Sequence, residues 1–211
     1  SLLLAVSHEL RSPLTRARLN AELVAPGVER DALLHDLGEM RDLITDLLES
    51  ERLAIGHAAL QRQPTDLNAL VRELAAETFG AAGLQLALTE ALPIVSIDAM
   101  RVRLLLRNLL HNALRHSPAG TPPPRVATAC SGGVLQLSVR DFGPGVEEAQ
   151  LPHLSEAFYR TDAARQRSTG GVGLGLTLCR LVAQAHGASL QLRNAHPGLE
   201  ATLSLPLTPT R

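Results

Sequence analysis

The sequence contains no lysine; all 20 of its Lys+Arg side chains are arginine. A phosphate-binding loop that ends in Gly-Lys-Ser/Thr is therefore excluded, and so is a protein kinase that holds ATP with a strand lysine. Tryptophan is absent and aromatics make up only 2% of the chain, so the core must be packed from Leu, Val, Ile and Ala. The two cysteines, Cys130 and Cys179, stand far apart and outside any metal-ligand spacing. Both read as buried small apolar side chains in a reducing compartment, with a disulfide between them as the alternative. A net charge of -1 gives no general electrostatic case for nucleic acid or an anionic membrane surface. No apolar run reaches the length of a membrane span, and no signal peptide is visible. The chain opens inside what already reads as a helix, which points to a fragment whose missing N-terminal part holds membrane spans.

What is present falls into two regions. In residues 2–24, Leu3, Val6, Leu10, Leu14, Ala17, Ala21 and Val24 recur at spacings of three and four, the stripe of a bundle helix. Ala25-Pro26-Gly27 breaks it, and a second helix is predicted from about Asp31 to Ile55 on Leu33, Leu37, Met40, Ile44 and Leu47. Leu34, Leu43 and Leu48 widen that apolar surface beyond what one partner covers. This all-α helical hairpin is thus expected to pair with a second copy as a dimeric four-helix bundle. Residues 56–63 read as a linker and hinge, giving domains 1–58 and 59–211.

The second region alternates elements. A helix over 67–79, capped by Thr65 or Asp66, precedes short strands at 84–89 and 94–97. Asp98 caps a strongly periodic helix over 99–115. Strands at 125–130 and 134–140 flank Gly132-Gly133 as a hairpin. A long polar stretch, 141–171, leads to a helix over 174–185 and a terminal hairpin of 189–194 and 199–205. Such a pattern implies an α/β two-layer sandwich, a mixed sheet covered on one face by helices.

Four stretches carry chemistry. Ser7-His8-Glu9-Leu10-Arg11-Ser12-Pro13-Leu14 puts an imidazole off the apolar stripe, towards solvent, with a carboxylate beside it and a hydroxyl one turn on. Asn108 and Asn112, followed by Arg115 and His116, sit off the buried stripe of their helix; they are either a solvated polar face or ligands for a hard cation already held by phosphates. Asp141-Phe142-Gly143-Pro144-Gly145 follows a strand: a plain Pro-Gly turn, or a carboxylate for an adenine amino group with glycines that let the backbone approach a ring. Gly171-Val172-Gly173-Leu174-Gly175-Leu176 opens a helix and offers backbone N–H groups to phosphate oxygens. No strand leads into it, so a dinucleotide fingerprint does not fit.

In this order the motifs resemble the catalytic core of bacterial sensor histidine kinases of two-component systems, over essentially the whole chain. Ser7–Leu14 looks like their H-box, Asn108–Pro118 their N-box, Asp141–Gly145 their G1 box, Glu156–Arg160 their F-box and Gly171–Leu176 their G2 box. The all-arginine basic set fits a GC-rich bacterial genome. The resemblance implies a dimerisation and histidine phosphotransfer domain followed by an ATP-binding domain of the Bergerat (GHKL) type. His8 would accept the γ-phosphoryl of ATP, with Glu9 as base or orienter of the ring. Histidine, with an ordinary pKa of about 6.5, is largely neutral and nucleophilic near pH 7. Asn112 would ligate Mg²⁺, and Asn108, Arg115 and His116 would meet the phosphates. Asp141 would read adenine, flanked by Gly143 and Gly145. Phe158, Arg160, Arg165 and Arg167 would lie in an ATP lid closed by Gly171, Gly173 and Gly175.

The phosphoryl group would then pass to an aspartate of a response-regulator receiver domain. Ser12, four residues after His8, would support dephosphorylation of that partner. The implied setting is the cytoplasmic portion of an inner-membrane-anchored protein. Where the F-box usually reads Phe-Glu-Pro-Phe, this chain has Ser155-Glu156-Ala157-Phe158, and Arg115 replaces the commoner Lys. Two rivals stay open: a nucleotide-binding dimeric scaffold without transfer, and a GHKL ATPase, which would need a Glu where His111 and Asn112 stand.

Overall fold

The computed structural model describes residues 2–54, 59–79, 83–160 and 173–207, without the side chains of residues 2–9, 11, 78 and 79. It divides into two compact units, Ser1–Ala58 and Ala59–Arg211. In the first, α1 (Leu2–Glu22) and α2 (Val28–Ala54) pack as a hairpin. Arg30 donates from Nε to the Ala21 carbonyl (3.3 Å) and from Nη2 to that of Glu22 (3.4 Å). A cation thus satisfies the last carbonyls of α1, where the helix dipole is negative. Helix α2 begins at Val28, earlier than its apolar periodicity implies, with Glu29 and Asp31 favourably placed in its first turn. Helix α1 runs unbroken through Pro13, although proline has no amide for the Glu9 carbonyl one turn before it.

Ala21, Leu37 and Leu48 are buried, whereas Leu10, Leu19, Leu23, Val24, Val28, Leu33 and Met40 stay exposed. Several of the residues on the two apolar stripes, Leu10, Val24, Leu33 and Met40 among them, therefore lack cover in the single hairpin. No helix among the described residues is long and apolar enough to cross a membrane.

The second unit is built on a five-stranded sheet of order β2-β4-β5-β7-β6. Its strands are β2 (Gln85–Ala87), β4 (Arg125–Ser131), β5 (Val134–Arg140), β6 (Ser189–Asn194) and β7 (Leu199–Pro206). β2 runs parallel to β4, and the other pairings are antiparallel. A separate antiparallel pair joins β1 (Gln63–Thr65) to β3 (Val95–Ile97). The helices are α3 (Leu67–Phe79), α4 (Ala99–His116) and α5 (Gly175–Ala185). Leu135, Leu137 and Val139 of β5 stand opposite Leu205, Leu203 and Ala201 of β7, and all six are buried. The alternate residues Gln136 and Ser138 face the other way and stay at least partly exposed. One face of the sheet is thus apolar, as in a two-layer sandwich. Val102, Leu105, Leu106, Leu109, Leu110 and Ala113 form the buried face of α4, and Leu178, Cys179 and Val182 that of α5. Each buried Leu or Val contributes roughly 1.5–3 kcal/mol through apolar surface removed from water.

Cys130 is exposed, contrary to the sequence reading. β2 pairs with β4 only as far as Ala127, and Thr89 reaches only Thr128, so Cys130 lies beyond the paired stretch on that side among the described residues. A short 3-10 helix, Glu148–His153, also interrupts the long polar stretch that the sequence left without structure.

The N-terminal end of α4 is held by a buried network. Asp98 caps the helix, its Oδ1 accepting from Arg101 N–H (3.2 Å), while Oδ2 accepts from Gln61 N–H (3.1 Å). Its own N–H donates to His186 Nε2 (3.0 Å), and His186 Nδ1 lies 2.8 Å from the Val182 carbonyl. The ring must therefore be neutral, donating from Nδ1 and accepting at Nε2. Arg62 donates to the carbonyls of Ser96 and His186, both at 3.2 Å, so the segment read as a linker is pinned from Gln61 onward.

Burial pushes the His186 pKa below 6.5, with the nearby Arg62 and Arg101 adding to this; the hydrogen bond to Val182 and the Asp98 carboxylate oppose it. A folded pKa below the unfolded one means that the unfolded chain binds the extra proton first. Stability from this site is complete above about pH 6.5 and falls with decreasing pH towards the folded pKa. Urea unfolding should register up to about 1.4 kcal/mol per pH unit from it below that point. His186→Gln, whose carbonyl can still accept from Asp98, should remove this slope; an unchanged slope would contradict the locked neutral ring.

Candidate functional site

Asn108, Asn112 and His116 recur every four residues along α4, flanking its buried stripe. All three are half-buried, whereas Arg115 is exposed. Asn108 donates from Nδ2 to the Leu104 carbonyl (3.1 Å), which aims its Oδ1 outward. That oxygen lies 2.8 Å from where a Cβ on Gly175 would stand. Glycine at the first position of α5 is what lets the amide reach the helix start. At the C-terminal end of α4, a Cβ on Gly143 would sit 2.2 Å from the His116 carbonyl oxygen. Asn112 lies between these two close approaches, and its amide has no hydrogen-bond partner among the described residues. Thr177 Oγ1, in the first turn of α5, is buried and also without a partner.

Asp141 is only 4% exposed, which a carboxylate tolerates when its oxygens are satisfied. Oδ1 accepts from the N–H groups of Gly143 (2.9 Å) and Leu199 (3.1 Å). The Asp141 N–H donates to the Leu199 carbonyl at 3.0 Å, which ties the residue to β7 on both sides. Among the described residues no hydrogen bond engages the second carboxylate oxygen. Gly198, at φ +91°, makes this approach possible, since a Cβ there would lie 2.0 Å from the Asp141 carbonyl oxygen. Gly145 takes φ +74°, with its Cβ direction filled 2.7 Å away by Asn194 Oδ1.

Phe158 is 61% exposed with φ 66°, a left-handed conformation uncommon for a bulky residue, and its N–H donates to the Gly173 carbonyl (3.1 Å). Gly173, at φ +84°, would otherwise push a Cβ to 2.7 Å from the Tyr159 carbonyl. Phe158 and Gly173 are thereby fastened together, and Arg160 nearby is half-buried. Arg165, Arg167 and Gly171 lie outside the described residues. So do the side chains of His8 and Glu9, although the backbone there is helical. Ser12 is exposed and accepts a hydrogen bond from Arg16 Nη1 (2.8 Å).

The structure therefore brings together Asn108, Gly175, His116, Gly143 and Asp141 within the second unit. Sequence reading passes over Asn194, Gly198 and Leu199. Only the Pro197-Gly198 pair between two alternating strands hinted at a turn there, and nothing local linked it to Asp141. Among the described residues no group of three or more His, Cys, Asp and Glu side chains could hold a metal. A cation at Asn112 would need most of its ligands from phosphate and water, a setting typical of Mg²⁺.

Residues 97–209 match the family described as histidine kinase-, DNA gyrase B- and HSP90-like ATPase. The chain is 32% identical over 214 residues to the signal transduction histidine-protein kinase BaeS of Escherichia coli, covering 96% of this chain and 45% of that protein. Sensor protein SphS of Synechococcus elongatus is 36% identical, with coverage of 97% and 54%. Sensor histidine kinase MtrB of Mycobacterium tuberculosis is 35% identical, with coverage of 98% and 38%. The chain thus spans about half the length, or less, of these curated relatives. Among solved structures, full-length ShkA in complex with AMPPNP superposes with a TM-score of 0.77 at 27% identity, over 99% of this chain and 46% of that one. Acinetobacter baumannii histidine kinase AdeS shares the fold, with a TM-score of 0.67 at 22% identity over 95% of this chain and 98% of that one.

The contact between Gly198 and Asp141 is directly testable. Gly133, at φ +75°, has open space around its Cβ direction, so Gly133→Ala should lose only about 1–2 kcal/mol for left-handed strain. Gly198→Ala adds overlap with main chain and should lose at least about 2 kcal/mol more in urea unfolding. Equal losses would contradict the interlock.

Proposed function

We propose, from the premise that this chain belongs to the histidine kinase-, DNA gyrase B- and HSP90-like ATPase family, that it is the catalytic core of a sensor histidine kinase. Residues 59–211 bind ATP with Mg²⁺, the γ-phosphoryl passes to His8, and from there to an aspartate of a response-regulator receiver domain. The single observation that carries the nucleotide reading is the half-locked Asp141. One carboxylate oxygen is committed to Gly143 and Leu199, and the other is left as an acceptor for the adenine amino group.

Asn108, Asn112, Arg115 and His116 lie along one end of α4, where the phosphates would run towards the start of α5 at Gly173 and Gly175. The amides and the helix start favour negative charge there. Mg²⁺ at Asn112 would neutralise phosphate charge. Phe158, Arg160, Arg165, Arg167 and Gly171 belong to the covering segment, where an arginine would offset charge on the transferring group.

In the transfer, the lone pair of a neutral His8 ring nitrogen forms a bond to the γ-phosphorus. The bond from that phosphorus to the β–γ bridging oxygen breaks, and ADP leaves with the electron pair. Glu9 orients the ring through its other nitrogen and accepts the proton released there. Helix α4 contains no Asp or Glu, which favours this route over water activation by a helix carboxylate. The exposed Leu10, Leu19, Leu23, Leu33 and Met40 of the hairpin support homodimerisation through residues 1–58. Exposed Ser12, one turn after His8, suits a second activity in which it positions water to dephosphorylate the regulator. ATP supply places this core in the cytoplasm, as part of a membrane-anchored sensor.

Incubation with γ-labelled ATP should give an acid-labile phosphoprotein. His8→Ala should abolish the label while ATP affinity stays unchanged; equal labelling of the variant refutes the assignment. Asp141→Asn should raise the Kd for ATP by about 10- to 100-fold, the loss of a charged hydrogen bond to the base.

A further inference from the structure

β6 ends at Asn194, whose side chain leaves the sheet and takes hold of the loop after Gly145. Oδ1 accepts from the Val146 N–H (3.0 Å), and Nδ2 donates to the Val146 carbonyl (2.8 Å) and to Glu148 Oε1 (2.8 Å). The carboxamide thus engages both main-chain groups of one residue, as a neighbouring strand would. Only Asn or Gln carries a donor and an acceptor in that planar arrangement, and Asn fits the reach from the strand end. Its oxygen also occupies the space that a side chain on Gly145 would need.

The turn that follows holds the other side of the same loop. Arg140 donates from Nη2 to the carbonyls of Ala195 (2.9 Å) and Pro197 (3.1 Å), with its guanidinium 4.9 Å from the Phe142 ring centroid. Gly198 and Leu199 close on Asp141. The segment from Asp141 to Val146 is therefore templated by the β6–β7 turn at both of its ends.

We propose that Asn194 is a positioning residue for adenine recognition: by clamping Val146 it fixes the Gly143–Val146 backbone against which the base is read. This rests on the ATP-binding reading of Asp141. A carboxylate acceptor favours the exocyclic amino group of adenine and repels the carbonyl that guanine carries at the same ring position. That discrimination depends on a loop held still. The phosphate end of the nucleotide, on α4 and α5, is not contacted by Asn194.

The test compares the wild-type chain with Asn194→Asp, Asn194→Ser and the double variant that combines Asn194→Asp with Glu148→Gln. The readouts are ATP and GTP binding and the KM and kcat of autophosphorylation. Aspartate keeps the acceptor for Val146 but loses the donor and sets a carboxylate against Glu148. Both single variants should raise the Kd and KM for ATP by about ten-fold, narrow the preference for ATP over GTP, and leave kcat at saturating ATP unchanged. A glutamine amide at position 148 can donate to the carboxylate introduced at position 194, so the double variant should recover part of the loss. Amide exchange at Val146 should accelerate in both single variants, a readout independent of nucleotide. Wild-type ATP affinity in Asn194→Asp, or KM and kcat failing together with no change in base preference, would overturn the proposal alone. A wild-type chain that binds neither nucleotide would overturn the function reading, and this one with it.

Discussion

A buried carboxylate is costly unless its oxygens are satisfied, and the second unit is arranged around meeting that cost at Asp141. The residue emerges at the end of β5, donates its main-chain N–H to the Leu199 carbonyl of β7, and receives the N–H groups of Gly143 and Leu199 on one carboxylate oxygen. None of this is possible unless residue 198 lacks a side chain. The same lack of Cβ atoms recurs at Gly143 against the His116 carbonyl and at Gly175 against Asn108. Three glycines from three separate stretches thus bring a strand end, a helix end and a helix start to the positions where one nucleotide would span them. The chemistry of the site follows from main-chain proximity more than from any dense cluster of charged side chains.

Helix α4 transmits this arrangement. Its apolar face is sealed in the core, the two amides flank that face, and its N-terminus is capped by Asp98. Asp98 is held in turn by Gln61 and His186. Entry of the chain into this unit is therefore fastened to the helix that would hold the phosphates, and Arg62 fastens it to the end of α5. Displacement of the segment at residues 61–62 would be felt at both helices.

Much of the architecture was legible beforehand, because α4 and the two long hairpins obey simple periods. Apolar residues recur every three to four positions in 99–115, and alternate in 134–140 and 199–205, so burial alone dictates their type. The two-layer sandwich follows from the same patterns, whereas the Asn, Asp and Gly motifs were legible through residue type, order and the family resemblance. Hidden features depend on partners distant in sequence. His186 matches no sequence motif and reads as either a surface or a packing residue, because its partner is the backbone N–H of Asp98, 88 residues away. Asn194 looks like an ordinary turn residue until the loop it clamps, 48 positions earlier, is brought beside it. The 3-10 helix at Glu148–His153 has no apolar period to betray it. Cys130 follows the burial parity of its strand, yet lies beyond the stretch of β4 that β2 pairs with, and is exposed.

The account turns on where a nucleotide base sits relative to Asp141. A crystal structure of this chain with a non-hydrolysable ATP analogue and Mg²⁺ would address it most directly. It should place the adenine amino group within hydrogen-bond reach of the uncommitted Asp141 oxygen, with the metal beside Asn112 and Oδ1 still bonded to Gly143 and Leu199. A base seated elsewhere, or an Asp141 that releases Leu199 to meet it, would contradict the account.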